Sequence, residues 1–106
     1  MRTAPISASA SGDTTILPAI TGKRYKILAY ILSSSGTNNI VWKSGTTALS
    51  GSMNMIAGGN IAIHLGDQWP SGGLPVLTTE LGDAFIINLS ASNIVGGHIT
   101  YVEVSN

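Results

Sequence analysis

The run Lys23-Arg24-Tyr25-Lys26-Ile27-Leu28-Ala29-Tyr30-Ile31-Leu32-Ser33 decides the fold. From Ile27 to Leu32 every side chain is apolar or aromatic, so a strand here carries apolar groups on both faces. A helix needs apolar residues at 3.6-residue spacing over ten or so positions, and no window of the chain sustains that. A short apolar run bounded by turn residues predicts a central strand, buried on both sides.

The bounding turns are Thr21-Gly22 on one side and the polar loop Ser34 to Asn39 on the other. Outward from them, strands and turns keep alternating. Upstream, Thr14-Thr15-Ile16-Leu17 is a short strand between Ser11-Gly12-Asp13 and Pro18, and Ile6 to Ala10 alternates weakly. Downstream, Asn39 to Lys43 is a strand closed by the turn Ser44-Gly45-Thr46. Met53-Asn54-Met55 alternates and leads to Gly58-Gly59-Asn60, which reads as a hairpin-type turn. Ile61, Ile63 and Leu65 then share one strand face. Gly66 to Pro75 is irregular, Val76 to Thr79 is a short strand, and Ala84 to Leu89 is a strong one. His98 to Val104 closes the chain with clear alternation.

Turns recurring every 8–12 residues or so are the pattern of a β-sandwich or barrel. The expectation is an all-β, single-domain antiparallel β-sandwich, jelly-roll-like, with about eight strands. Residues 1–11 are poor in large apolar groups and read as an N-terminal arm that orders only against a neighbour. Residues 12–106 form the sandwich domain.

Composition narrows the function. Of 106 residues, 9% are charged, five cations cancel five anions, and there is no cysteine. Disulfides and thiol chemistry are excluded. Five cations matched by five anions do not make a phosphate-neutralising surface, so no nucleic-acid partner is expected. The one basic run, Lys23-Arg24-Tyr25-Lys26, reads as a polar lead into a strand. No segment approaches a membrane-spanning helix in length, and the first residues lack the apolar core of a secretory signal. No membrane partner is expected, and the chain reads as made in the cytosol. A neutral surface coated with Ser, Thr, Asn and Gly tends to associate, which suits a protein covered by neighbours in an assembly.

Reactive groups do not converge in the sequence. His64 and His98 are the only histidines, too few for a zinc site without further ligands. Asp13, Asp67, Glu80 and Asp83 lie in or beside turns, where carboxylates usually cap backbone N–H groups. No Gly-x-Ser-x-Gly elbow is present, and no helix follows the Gly doublets to make a phosphate loop. No catalytic residue, metal or cofactor is expected, and the protein reads as a binding module. Trp42 reads as core. Trp69, beside Pro70 in the irregular stretch, is a candidate plug or interface anchor, or a platform for a sugar. Met53 and Met55 share a strand face and serve either core or a pliable contact.

Four stretches resemble a known family. They are Gly12-Asp13-Thr14-Thr15, then Gly22 to Tyr30, then Val41-Trp42-Lys43-Ser44-Gly45-Thr46-Thr47-Ala48-Leu49-Ser50-Gly51, and Gly96-Gly97-His98-Ile99-Thr100-Tyr101-Val102-Glu103-Val104. Together, over residues 11–104, they are similar to small β-sandwich virion proteins of tailed bacteriophages, of the capsid decoration (cement) type. The resemblance implies a jelly-roll-like sandwich, a homotrimer, and attachment to the major capsid protein on the virion surface, where it stabilises the shell. It brings no catalytic residues. Related sandwiches also serve as fibre or tail modules that bind carbohydrate or a host receptor. The expected interface residues are Arg2, Thr3, Pro5 and Ile6 of the arm, with Trp69, Met53 and Met55.

Overall fold

The computed structural model describes residues 2–64 and 76–105. Trp69 lies outside the described residues, as do the other positions between 65 and 75. Among the described residues ten strands form: β1 (Arg2–Ala8), β2 (Gly12–Leu17), β3 (Arg24–Ser34), β4 (Asn38–Ser44), β5 (Thr47–Ala48), β6 (Met53–Met55), β7 (Asn60–His64), β8 (Leu77–Thr78), β9 (Phe85–Leu89) and β10 (Val95–Val104). They make two antiparallel sheets. One has the order β1-β10-β3-β7, with β8 also on β3; the other has β2-β9-β4-β5, with β6 also on β4.

The pairings are nested. β1 pairs β10, β2 pairs β9, β3 pairs β8 and β7, and β4 pairs β6 and β5. The chain is therefore one long hairpin whose tip is the turn from Ser44 to Thr47. Gly45 takes a φ of 57° there, at the first of two loop residues, as in a II′ hairpin turn. The hairpin rolls up when β10 pairs β3 and β9 pairs β4. This is the expected jelly-roll-like sandwich. The eight strands of the roll become ten segments because two of them are interrupted. Opposite β4, the Ser50 hydroxyl accepts the Trp42 N–H at 3.0 Å in place of a ladder carbonyl, which separates β5 from β6. Opposite β3, β7 ends with His64 paired to Ala29 and β8 begins with Leu77 paired to Ile27.

Alternation along each strand sends one set of side chains between the sheets. Ile6, Ala8, Tyr25, Ile27, Tyr30, Leu32, Val95, Ile99 and Tyr101 come from one sheet, and Leu17, Ile40, Trp42, Met55, Phe85, Ile87 and Leu89 from the other. Trp42 is the centre: its ring stacks on Phe85 with centroids 4.7 Å apart and meets Tyr30 edge-on at 5.1 Å across the sandwich.

Three expectations differ from the structure. Residues 2–8 are not a free arm: β1 completes the edge of a sheet, and Ile6 and Ala8 are buried core. Small residues hid this, because Ala4 and Ala8 supply the inward face where larger apolar groups usually mark a strand. Gly58-Gly59-Asn60 does not close a hairpin. The turn is tight, with the Gly59 N–H donating to the Ile56 carbonyl, but β6 and β7 belong to different sheets. Finally, β3 is central but not covered on both sides, since Ile31 is 42% exposed.

Candidate docking face

The two outer surfaces of the sandwich differ in chemistry. On the β2 sheet, Asp13, Asn88 and Val41 lie in one cross-strand row, with Thr15, Ile86 and Lys43 in the next. Lys43 Nζ lies 3.0 Å from Asp13 Oδ2, Asn88 Nδ2 donates to Asp13 Oδ1 at 2.7 Å, and Asn54 Nδ2 donates to Asn39 Oδ1 at 2.8 Å. The Asn88 hydrogen bond first, and the Lys43 ammonium second, hold the Asp13 carboxyl below its ordinary range. These polar groups satisfy one another.

The outer face of the β1 sheet is built otherwise. Its central row is Pro5, His98, Ile31 and Ala62, one residue from each of β1, β10, β3 and β7. The next row holds Thr3, Thr100 and Ala29. On the other side lie Ser7, Gly96, Ser33 and Asn60. Lys26, with Val102 and Thr78, stands towards one end. Among the described residues these rows hold no carboxylate.

A β-bulge shapes the middle of this face. Between Thr100 and Tyr101 the register of β10 on β3 shifts, and Leu28 is the extra residue between Ala29, opposite Thr100, and Ile27, opposite Tyr101. Ala29 and Ala62 are small, while Ile31, His98 and Thr100 stand up around them. The result is a depression of about 100 Å³ lined by Ala29, Tyr30, Ile31, Ala62, Ile63, His98 and Thr100. Ligand pockets run to about 300 Å³ and more, so this one suits a single side chain of a partner.

The expected interface residues scatter. Thr3 and Pro5 sit exposed on this face; Arg2 is exposed at the end of β1, in register with Tyr101. Ile6 and Met55 are buried in the core and cannot touch a partner without unfolding. Met53 is packed against the core, and the Tyr30 hydroxyl points to its sulfur at 3.9 Å. Met53 and Met55 therefore both fill the core. The sequence reading missed Ile31, Ala29, Ala62, His98 and Thr100 as one surface. A signal was present, since the apolar run of β3 has more apolar residues than one core face needs.

Five strands at the sheet edges are poor templates for an added strand. β5, β6 and β8 are short, β2 carries a bulge beyond Thr15, and β1 carries Pro5, which has no N–H to offer. Among the described residues, no group of three or more His, Asp or Glu is placed to hold a metal ion. Comparison with models of protein families, with characterised proteins and with solved structures returns no match to this chain.

Proposed function

We propose that this chain is a structural protein of a tailed-phage virion, of the capsid decoration type, working through protein-protein contact. The observation that carries this reading is the asymmetry of the sandwich. One outer face carries a polar network around Asp13, while the other shows no carboxylate among the described residues and presents Ile31 and a side-chain-sized depression. A concave apolar spot rimmed by polar groups is a natural seat for a partner's side chain. The resemblance of the turn and strand sequences to virion sandwiches supplies the kind of assembly. The partner in this reading is the major capsid protein. Bridging several of its subunits would multiply modest contacts through effective concentration and so stabilise the shell.

Co-sedimentation with expanded, DNA-free capsids of the phage that encodes the chain tests this. Wild type is expected to pellet with the shells. Ile31→Asp, a charge placed at the middle of the face, should weaken pelleting about tenfold or more. Thr15→Asp, on the polar face, should leave it unchanged. Shells that bind neither wild type nor the control, or that bind Ile31→Asp as well as wild type, would remove the basis for this function.

A further inference from the structure

The cations of the chain are not shared evenly between the two sheets. Lys43 stands on the β2 sheet, where Asp13 neutralises it at 3.0 Å. Lys23 precedes β3, and its ammonium donates to Ser105 Oγ at 2.9 Å. Arg24 and Lys26 lie on β3 two residues apart, so they share one side of the sheet. That side is the docking face, because Tyr25 and Ile27 next to them are core. Their neighbours across the strands are uncharged: Val104 beside Arg24, and Val102 and Thr78 beside Lys26.

Neither cation makes an ion pair among the described residues, where Lys43 with Asp13 is the one pair. The Arg24 Nε is in addition buried without a hydrogen-bond partner. A donor in that position is costly to leave unpaired, and the guanidinium fork fits a carboxylate with two parallel bonds. The carboxylates at this end of the sandwich belong to other places. Glu103 is in register with Tyr25, on the inward side of the sheet. After β8 the chain crosses to the other sheet: the Glu80 N–H donates to Ser44 Oγ at 2.9 Å, and the Ser44 hydroxyl donates to Asp83 Oδ2 at 2.8 Å.

The cations and the depression lie along one line. The middle of the depression, between Ala29 and Ile31, is four residues of β3 from Lys26, or about 13 Å, and Arg24 is about 7 Å further on.

We propose that the docking face receives an extended acidic segment of the shell protein, with one apolar side chain in the depression and carboxylates on Lys26 and Arg24. The inference deepens the proposed function by naming the chemistry of the partner, and it rests on that reading of the face. Charge selects this occupant. Any small apolar side chain fits the depression, but only an acidic neighbour also pairs the two cations and the orphaned Nε. Alternate residues of an extended segment share a side, so its acids lie four and six residues from the apolar one. A nucleic acid offers phosphates for the cations but no aliphatic side chain for the depression, and the chain's zero formal net charge gives it no wider hold.

Titration of the untagged, isotope-labelled chain with blocked seven-residue peptides, followed by NMR, tests this without any capsid. The probe has leucine first, glutamate fifth and seventh, and serine elsewhere; its reverse sequence covers the other chain direction. One of the two is expected to saturate at millimolar concentration or below, moving the amides of Lys26, Ala29, Ile31 and Thr100. Glutamine in place of both glutamates should weaken binding about tenfold or more. Lys26→Gln and Arg24→Gln should each weaken it about fivefold, with unchanged circular dichroism. Lys43→Gln removes the same charge from the other face and should bind as wild type does. Lys26→Gln alone decides if Arg24→Gln perturbs folding. No saturation by either probe, a glutamine peptide that binds as well as the acidic one, or a loss in Lys43→Gln equal to that in Lys26→Gln would each overturn the proposal. So would a short oligothymidylate that binds the same amides as tightly as the peptide. Shells that retain Lys26→Gln and Arg24→Gln as well as wild type, yet reject Ile31→Asp, would keep the docking face and remove its acidic partner. Peptide binding by a chain that no shell retains would remove the virion reading alone.

Discussion

Gly97 is the residue on which the pairing of β10 with β3 turns. It has a φ of 149°, and a Cβ added there would lie 1.8 Å from the Ile31 carbonyl oxygen. Backbone sits where the atom would go, so no side-chain rotation relieves the clash. Gly97→Ala is expected to cost well over about 1 kcal/mol, more than alanine gains at positions that accommodate it. Gly51→Ala, at a site with nothing within 4 Å, is the control. Urea denaturation of the two variants checks this; equal midpoints would show that the strands can part there without penalty. The need for glycine at 97 was not visible in the sequence, where Gly96-Gly97 reads only as a break. The clash depends on a strand more than sixty residues earlier in the chain. Trp42, by contrast, was legible as core, because alternation within one strand suffices to place it.

At the scale of elements, β2, β9 and β4 share the polar ladder around Asp13. Asp13 ionises more readily in the folded chain, because the Asn88 amide and the Lys43 ammonium favour its charged form. Its contribution is present above the unfolded carboxyl pKa of about 3.9 and is lost as pH falls through the lower folded value. The group is exposed, so solvent and salt hold the effect to no more than about 1 kcal/mol. Asp13→Asn should therefore be slightly less stable than wild type at neutral pH and low salt, with the gap closing below about pH 4. Thermal melts across that pH range read it out, and a gap that persisted in acid would show that Asp13 acts through something other than its charge. Each strand of this ladder was legible from turn spacing and alternation. Which outer face would be polar was not, because that depends on which strands become neighbours. Asp13 and Lys43 are thirty residues apart, and only the rolled hairpin brings them together.

At the scale of the whole molecule, the first strand is held by the last. Arg2 to Ala8 pair with Tyr101 to Val95, so the sheet is incomplete until both ends of the chain are present. Removing residues 2–8 would take Ile6 and Ala8 from the core and leave the edge of β10 bare. Burying one isoleucine contributes up to about 3 kcal/mol. At about 4 °C per kcal/mol, losing Ile6 alone would lower the melting temperature by up to about 12 °C, and the full truncation should do more or prevent folding. Calorimetry decides, and an unchanged melting temperature would return these residues to the status of an arm. The class of fold was legible at this scale because turns and alternation are local. The arm was misread because its inward residues are mostly alanine, and the docking face because an exposed Ile31 looks in sequence like a buried one.

The nested hairpin also gives the molecule two unlike poles. Arg2 and Val104 lie at one, while Ile94 and the turn at Gly58 lie at the other, where Ser34 and Ser35 bond to both loops. Cargo joined before residue 2 or after residue 105 would leave from the pole opposite Ile94. A fluorescent or affinity tag at either position would thus hang clear of Ile94.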